Sequence, residues 1–142
     1  MNVVVCGTWD LFHKGHEELL DYAYMMGDLV RIFVTSTEFV KGKKKPLQNN
    51  YERIFNVGGY FETINMCLIE DKEQFQQDIV SLTPCILLHG NDHNIETLSE
   101  IYGVEHNWWK DNDIYLLYKD RYLGISSSVL RIKNPNYKGF IR

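Results

Sequence analysis

Cysteine and proline are scarce in this chain, three of each among 142 residues, and the cysteine shortage already narrows the field. Cys6, Cys67 and Cys85 stand at unrelated spacings and make no disulfide framework, so reduced thiols in a cytoplasmic setting are expected. Cys6 and Cys85 sit in apolar runs and read as small core residues. No apolar run reaches the length that spans a bilayer, and the first residues lead into a strand pattern rather than a signal peptide. A basic excess is also missing. Fifteen basic against 19 acidic side chains leave a formal net charge of −4, which disfavours a general nucleic-acid binder. Repeats, low-complexity tracts and Pro/Gly/Ser linkers are absent as well. One domain over 1–142 is expected, with a core of about 2–133 and an unassigned tail 134–142.

What is present is an alternation of short apolar strands and amphipathic helices. Strands are predicted at Val3–Cys6, Leu29–Thr35, Thr63–Ile69, Cys85–His89 and Ile114–Tyr118. Helices are predicted at Gly15–Met26, Tyr51–Gly58, Lys72–Leu82 and Ile95–Tyr102, with a short one after Ser126. This pattern predicts an α/β fold: a single Rossmann-like domain with a five-stranded parallel sheet flanked by helices. Ligands of such sheets bind outside the carboxyl ends of the strands, at a topological switch point. Trp108, Trp109, Tyr115 and Tyr118 suit either the core or a subunit interface, where aromatic anchors are common.

One segment carries most of the chemistry: Gly7-Thr8-Trp9-Asp10-Leu11-Phe12-His13-Lys14-Gly15-His16. It follows the apolar run Val3–Cys6 and opens the first helical pattern, so two histidines flank a helix start. Unpaired amides and the positive end of the helix dipole favour an anion there, and two imidazoles add donors. A phosphate chain fits that description. Histidines near a helix start also serve as caps or core residues, and His-x-x-His occurs in zinc sites. No Cys-x-x-Cys pair or clustered carboxylate accompanies them, so no metal-ligand set is expected.

Two further segments suit anions. Arg121-Tyr122-Leu123-Gly124-Ile125-Ser126-Ser127-Ser128 leads to Arg131, a serine run capping a short helix after a freeing glycine. Lys41, Lys43, Lys44 and Lys45 form one basic cluster, while Arg131, Lys133, Lys138 and Arg142 populate the tail. A local positive patch in an acidic chain suits a small polyanion better than a duplex.

The Gly7–His16 segment resembles the GTFDxxHxGH signature of the nucleotidylyltransferase superfamily, with Trp9 in place of the usual phenylalanine. That superfamily includes the glycerol-3-phosphate, choline-phosphate and ethanolamine-phosphate cytidylyltransferases, pantetheine-phosphate adenylyltransferases and an archaeal type of FAD synthetase. The Arg121–Arg131 segment resembles its RTxGISTT or ISSSxxR motif, about 110 residues on. Lys41–Pro46 with Tyr51-Glu52-Arg53 is similar to its lysine-rich loop and Tyr-Glu-x-Arg or Glu-x-Arg segment, and His89-Gly90-Asn91-Asp92-His93 resembles its Gly-Asp-Asp or His-Gly-Asp-Asp turn with Asn91 in one acidic position. The resemblance spans about residues 2–133 and is closest to the glycerol-3-phosphate type.

The resemblance implies transfer of CMP from CTP to a small phosphorylated alcohol, with release of pyrophosphate. His13 and His16 would act on the α/β bridge, Lys44 (or Lys43) on the α-phosphate, and Arg121 on the β- and γ-phosphates. Gly7, Thr8, Trp9, Gly15, Gly90, Asn91, Asp92, Ile125, Ser126, Ser127 and Ser128 would line the nucleotide site. Asp10 is expected to orient the loop or the acceptor, and Thr37 to face the acceptor. Mg²⁺ is expected with the triphosphate, and a homodimer is implied. Two features depart from the pattern. Thr35-Ser36-Thr37-Glu38 lacks the usual acidic residue directly after strand two, and Phe61 falls near an arginine that binds nucleotide in glycerol-3-phosphate relatives. An adenylyltransferase using ATP with a phosphopantetheine or flavin-like acceptor therefore stays open, as does a catalytically silent nucleotide-binding module.

Overall fold

The computed structural model describes residues 1–26, 29–40, 45–61, 65–90 and 92–119. Its elements run β1 (Asn2–Gly7), α1 (Lys14–Met26), β2 (Leu29–Thr35), α2 (Asn50–Phe61), β3 (Met66–Ile69), α3 (Lys72–Val80), β4 (Cys85–Gly90), α4 (Ile95–Tyr102), α5 (His106–Asp111) and β5 (Ile114–Lys119). The five strands form one sheet in the order β3-β2-β1-β4-β5. Each pairing is parallel; Val3 lies opposite Val30 on β2 and Ile86 on β4.

Successive strand side chains point to opposite faces, so a strand covered on both sides must be apolar throughout. Val3, Val4 and Val5 are all fully buried, each worth about 1.5–3 kcal/mol relative to exposure. Val3 and Val5 pack with Ile32, Leu20 and Ala23 of α1 and Val57 of α2. Val4 joins Phe33, Phe75 and Ile79 of α3, Leu98 and Tyr102 of α4, and Trp109 of α5 on the other face. Among the described residues two helices thus lie on one face and three on the other. The reversal falls between β1 and β4, and opens a crevice at their carboxyl ends.

Four elements differ from the sequence expectation, and the first is β3, which begins at Met66 rather than Thr63. The six-residue α5 is additional: its first-turn neighbour Glu105 makes no side-chain cap, so no local signal announces it. Packing holds it instead. Trp109 is 2% exposed and its indole N–H donates to Ser99 Oγ at 2.9 Å. Helix α2 runs on through Gly58 and Gly59 to Phe61, and α3 ends at Val80 rather than Leu82. The expected helix after Ser126 lies outside the described residues.

Candidate active site

The β1–α1 loop sits at the crevice. Both Trp9 (φ 57°) and Leu11 (φ 52°) adopt left-handed backbone, which costs a non-glycine residue about 1–2 kcal/mol. Tertiary contacts hold them there. The Trp9 indole N–H donates to the Phe33 carbonyl at 3.0 Å, and the Leu11 amide donates to Gln48 Oε1 at 3.0 Å. Trp9 is buried, so the replacement for phenylalanine occupies a packed aromatic position.

The next turn orients the histidines. The His13 amide donates to His16 Nδ1 at 3.2 Å, and the Gly15 amide donates to His13 Nδ1 at 3.0 Å. Each Nδ1 therefore presents a lone pair, which places the ring proton on Nε2. The rings stack with centroids 3.9 Å apart, and Phe12 and Trp9 pack against His16 at 5.4 and 5.3 Å. The Gly15 amide is committed to His13, and Gly15, His13 and His16 all line the cleft.

Behind the loop lies a residue whose role the sequence does not disclose. Arg53 on α2 is fully buried. Its guanidinium donates to the carbonyls of Thr8 (2.7 Å), Thr35 (2.6 Å) and Gln48 (3.2 Å), to Asn50 Oδ1 (2.6 Å) and to Thr37 Oγ1 (3.1 Å). One side chain thus ties the ends of β1 and β2 to the start of α2. Burial lowers its pKa from the ordinary arginine value, and the field of Asp10 opposes that shift.

Asp10 is 1% exposed, and its two oxygens accept from the Leu47 and Gln48 amides, each at 3.0 Å. Thr37 Oγ1 meets Asn50 and Arg53. Among the described residues neither lines the cleft, and for Asp10 the loop-orienting alternative fits its two amide contacts. Both hold loop geometry.

The crevice itself is a cleft of about 590 Å³, within the range of small-molecule sites. Gly7, Thr8, Trp9, His13, Gly15 and His16 line one part, and His89, Gly90, Asp92 and His93 at the end of β4 line another. His89 Nδ1 lies 2.8 Å from the Gly90 carbonyl, so it donates and its Nε2 is an acceptor, the reverse of the His13 and His16 tautomers. Lys119, which the motifs do not single out, reaches the cleft from the end of β5 with its ammonium 5.6 Å from the Tyr22 ring centre. Lys72, Glu100 and Ile101 are also on the wall. Lys43, Lys44, Asn91, Arg121, Ile125, Ser126, Ser127 and Ser128 lie outside the described residues.

Cys6 lines the same wall, where burial pushes its thiol up from the ordinary value and a hydrogen bond with Tyr102 opposes that shift. Among the described residues no group of three or more His, Cys, Asp or Glu could hold a metal ion, and no helix is long and apolar enough to cross a membrane.

A parallel sheet with a paired-histidine loop at its switch point defines an α/β protein whose cleft lies where such sheets bind their ligands. The chain belongs to the cytidylyltransferase-like family, whose model matches residues 4–133. It is 45% identical over 58 residues to the phosphopantetheine adenylyltransferase of Methanothermobacter thermautotrophicus, covering 41% of this chain and 35% of that one. It is 30% identical over 135 residues to the glycerol-3-phosphate cytidylyltransferase of Bacillus subtilis, covering 91% of this chain and 93% of that one. The chain thus spans about a third of the first relative and nearly all of the second. The crystal structure of a lipopolysaccharide core biosynthesis protein from Thermoplasma volcanium shares the fold. It matches with a TM-score of 0.63 at 17% identity, over 86% of this chain and 98% of that one.

Proposed function

We propose that this protein is a nucleotidylyltransferase moving CMP from CTP to the phosphate of a phosphorylated alcohol. An acceptor phosphate oxygen forms a bond to the α-phosphorus, the bond from that phosphorus to the α/β bridging oxygen breaks, and pyrophosphate leaves with its electron pair. Such a transfer needs alignment and stabilisation of charge more than covalent help. The observation that carries this reading is the pair of histidines whose Nδ1 atoms accept backbone amides. That arrangement fixes the Nε2–H groups as the ring donors, to meet charge growing on the α- and β-phosphates.

CTP as donor is supported by the near full-length likeness to the Bacillus enzyme. The acceptor Nε2 of His89, beside Gly90 and Asp92, offers a partner for an exocyclic amino group on the base. The likeness to a phosphopantetheine adenylyltransferase favours ATP as the second reading. Lys44 (or Lys43), Arg121, Ile125 and Ser126, Ser127 and Ser128 complete the proposed triphosphate site, with Asn91 at the base. Mg²⁺ would enter on the triphosphate, held by phosphate oxygens and water, which calls for no protein cage and offsets the phosphate charge. A homodimer is part of the proposal: Tyr115 (56% exposed) and Tyr118 (62% exposed) stand on β5, an edge strand among the described residues, and light scattering reads the mass.

The deciding experiment measures pyrophosphate release while crossing CTP, ATP, UTP and GTP with a panel of phosphate monoesters. CTP is expected to give the largest specificity constant. A larger value for ATP replaces the cytidylyl reading with the adenylyl one, and triphosphate binding without release under any pairing leaves a silent module.

A further inference from the structure

The buried stripe of α2 is not apolar. Arg53, Asn56 and Val57 stand at helical spacing and are all buried, Asn56 to 1% exposure. An amphipathic helix fills that stripe with hydrocarbon. Arg53 has acceptors for its donors, but Asn56 is poorly supplied. Its Nδ2 donates to Gln48 Oε1 at 3.5 Å, and among the described residues its buried Oδ1 has no hydrogen-bond partner. A buried oxygen without a donor lowers stability by its lost hydration. A leucine of the same shape would carry no such penalty.

The histidine loop dictates how that amide is turned. Leu11 adopts left-handed backbone at φ 52°, and its N–H donates to Gln48 Oε1 at 3.0 Å. A backbone N–H can only donate, so the Gln48 oxygen has to face it. Asn56 must then present its NH₂ group to the same oxygen, which leaves its own Oδ1 without a donor. Among the described residues these two groups are the donors that fix the Gln48 side chain. Leu11 lies two residues before His13, whose amide meets His16 Nδ1. A left-handed leucine is strained, and relaxes once its anchor loosens. That relaxation carries both imidazoles with it.

We infer that Asn56 is a positioning residue for the transfer reaction, retained at the expense of stability. It fixes the Gln48 amide, the amide fixes Leu11, and Leu11 fixes where the two imidazoles stand. Asn56 is not among the described residues that line the cleft, so its influence passes through Gln48. The inference rests on the nucleotidyl-transfer reading for its effect on turnover, but not for its effect on the histidines. A polar residue in a core position, with one atom unpaired, is the kind of local conflict that chains keep where function requires it.

The test uses the full chain with Asn56→Leu, Gln48→Met and the double variant. Asn56→Leu puts methyl groups where the two amide atoms stood. Its urea midpoint should equal or exceed the parent's, because the unpaired oxygen is gone. Its kcat should fall about tenfold, as a small misplacement of reacting groups does, with both KM values within about twofold of the parent's. Gln48→Met removes the link itself and should lower kcat by about a hundredfold. In the double variant kcat should fall no further than in Gln48→Met, since both changes act through one path. Nitrogen–proton correlation spectra of the imidazoles should show His13 and His16 shifted in every variant, with His106 at the start of α5 unmoved. A parent-like kcat in Asn56→Leu overturns the inference, and so does a lowered urea midpoint. A further loss of kcat in the double variant overturns it as well, as do unmoved His13 and His16 resonances. Failure of the parent chain to release pyrophosphate with any pairing overturns the transfer reading alone; the midpoints and spectra still decide whether Asn56 places the histidines.

Discussion

The two walls of the cleft are built on opposite plans. Around the β1–α1 loop, Arg53, Asp10, Gln48 and Asn50 commit their polar atoms to one another and to backbone. On the α3–α4 side, Lys72 and Glu100 stand over apolar side chains without a described partner. On the proposed function the difference follows from what each wall would do. Phosphoryl chemistry needs donors held within fractions of an ångström, and a locked network supplies that. Choice of a second substrate needs groups whose hydrogen bonds are made only when the substrate arrives.

Breaking the locked wall at its centre should have the largest effect. Arg53→Met takes a charged donor from three carbonyls and from Asn50 Oδ1, which keeps only its contacts with Thr37. Removing one member of a buried charged network costs about 3–5 kcal/mol, a large share of the roughly 5–15 kcal/mol that holds a domain folded. Urea denaturation should show a variant unfolded or nearly so, without turnover. Arg53→Lys keeps the charge but not the planar fork, and should fall between. A Met variant as stable as the parent would show that the network is ornamental.

His16→Ala tests the donor rather than the frame. Loss of one charge-stabilising donor should lower kcat by roughly two to three orders of magnitude, with the melting profile nearly that of the parent. The ring accepts the His13 amide, so a small stability loss is expected as well. Should triphosphate affinity fall while kcat holds, His16 is a binding group and not a catalyst.

Much of this contrast was legible before the structure, and the remainder is long-range. Leu29–Thr35 matches β2, and the predicted β1, β4 and β5 fall within a residue of the observed ends. A parallel sheet covered on both faces leaves runs such as Val3-Val4-Val5 no other reading. The histidine pair and the strand-end turn at His89 were readable from spacing. Arg53 was visible as a residue in a familiar segment, but its partners come from three separate parts of the chain, and no local pattern encodes them. Lys72 reaches the cleft because Gly103, 31 positions on, has no side chain in its path. Asp10 leaves loop and acceptor roles both open in the sequence for the same reason: its two amide donors lie 37 and 38 residues away.

Asp10 therefore offers a gentler cut at the locked wall. Asp10→Asn keeps one acceptor and turns an amide N–H₂ toward a backbone N–H. The cost is that of one unsatisfied buried donor, about 1–3 kcal/mol. Because Asp10 anchors 47–48, beyond the lysine-rich segment, turnover should fall more than triphosphate affinity, by about tenfold. Parallel stability and kinetic measurements separate the two, and an acceptor KM that rises alone would restore Asp10 to substrate binding.

The smallest expected effect lies beneath the α3–α4 wall and shows that its freedom is confined to the surface. Cys85 at the start of β4 is fully buried in the core under α3, α4 and α5. Burial pushes its thiol from the ordinary 9.0 up to about 11. The sign follows from proton counting. Between pH 9 and 11 the unfolded chain releases this proton while the folded chain keeps it, so stability falls as pH rises through that window. Below pH 9 both forms hold the proton, and the residue adds no pH dependence. At pH 10 the loss from this one group is about 1 kcal/mol. Cys85→Ala also removes a buried sulfur, a cost that is nearly the same at every pH. Subtracting urea-derived stabilities of parent and variant from pH 8 to 10.5 cancels the tyrosines and lysines they share. The stability gap between parent and Cys85→Ala should narrow above pH 9; a gap that stays constant would mean that the thiol titrates in the folded protein as it does in the unfolded chain.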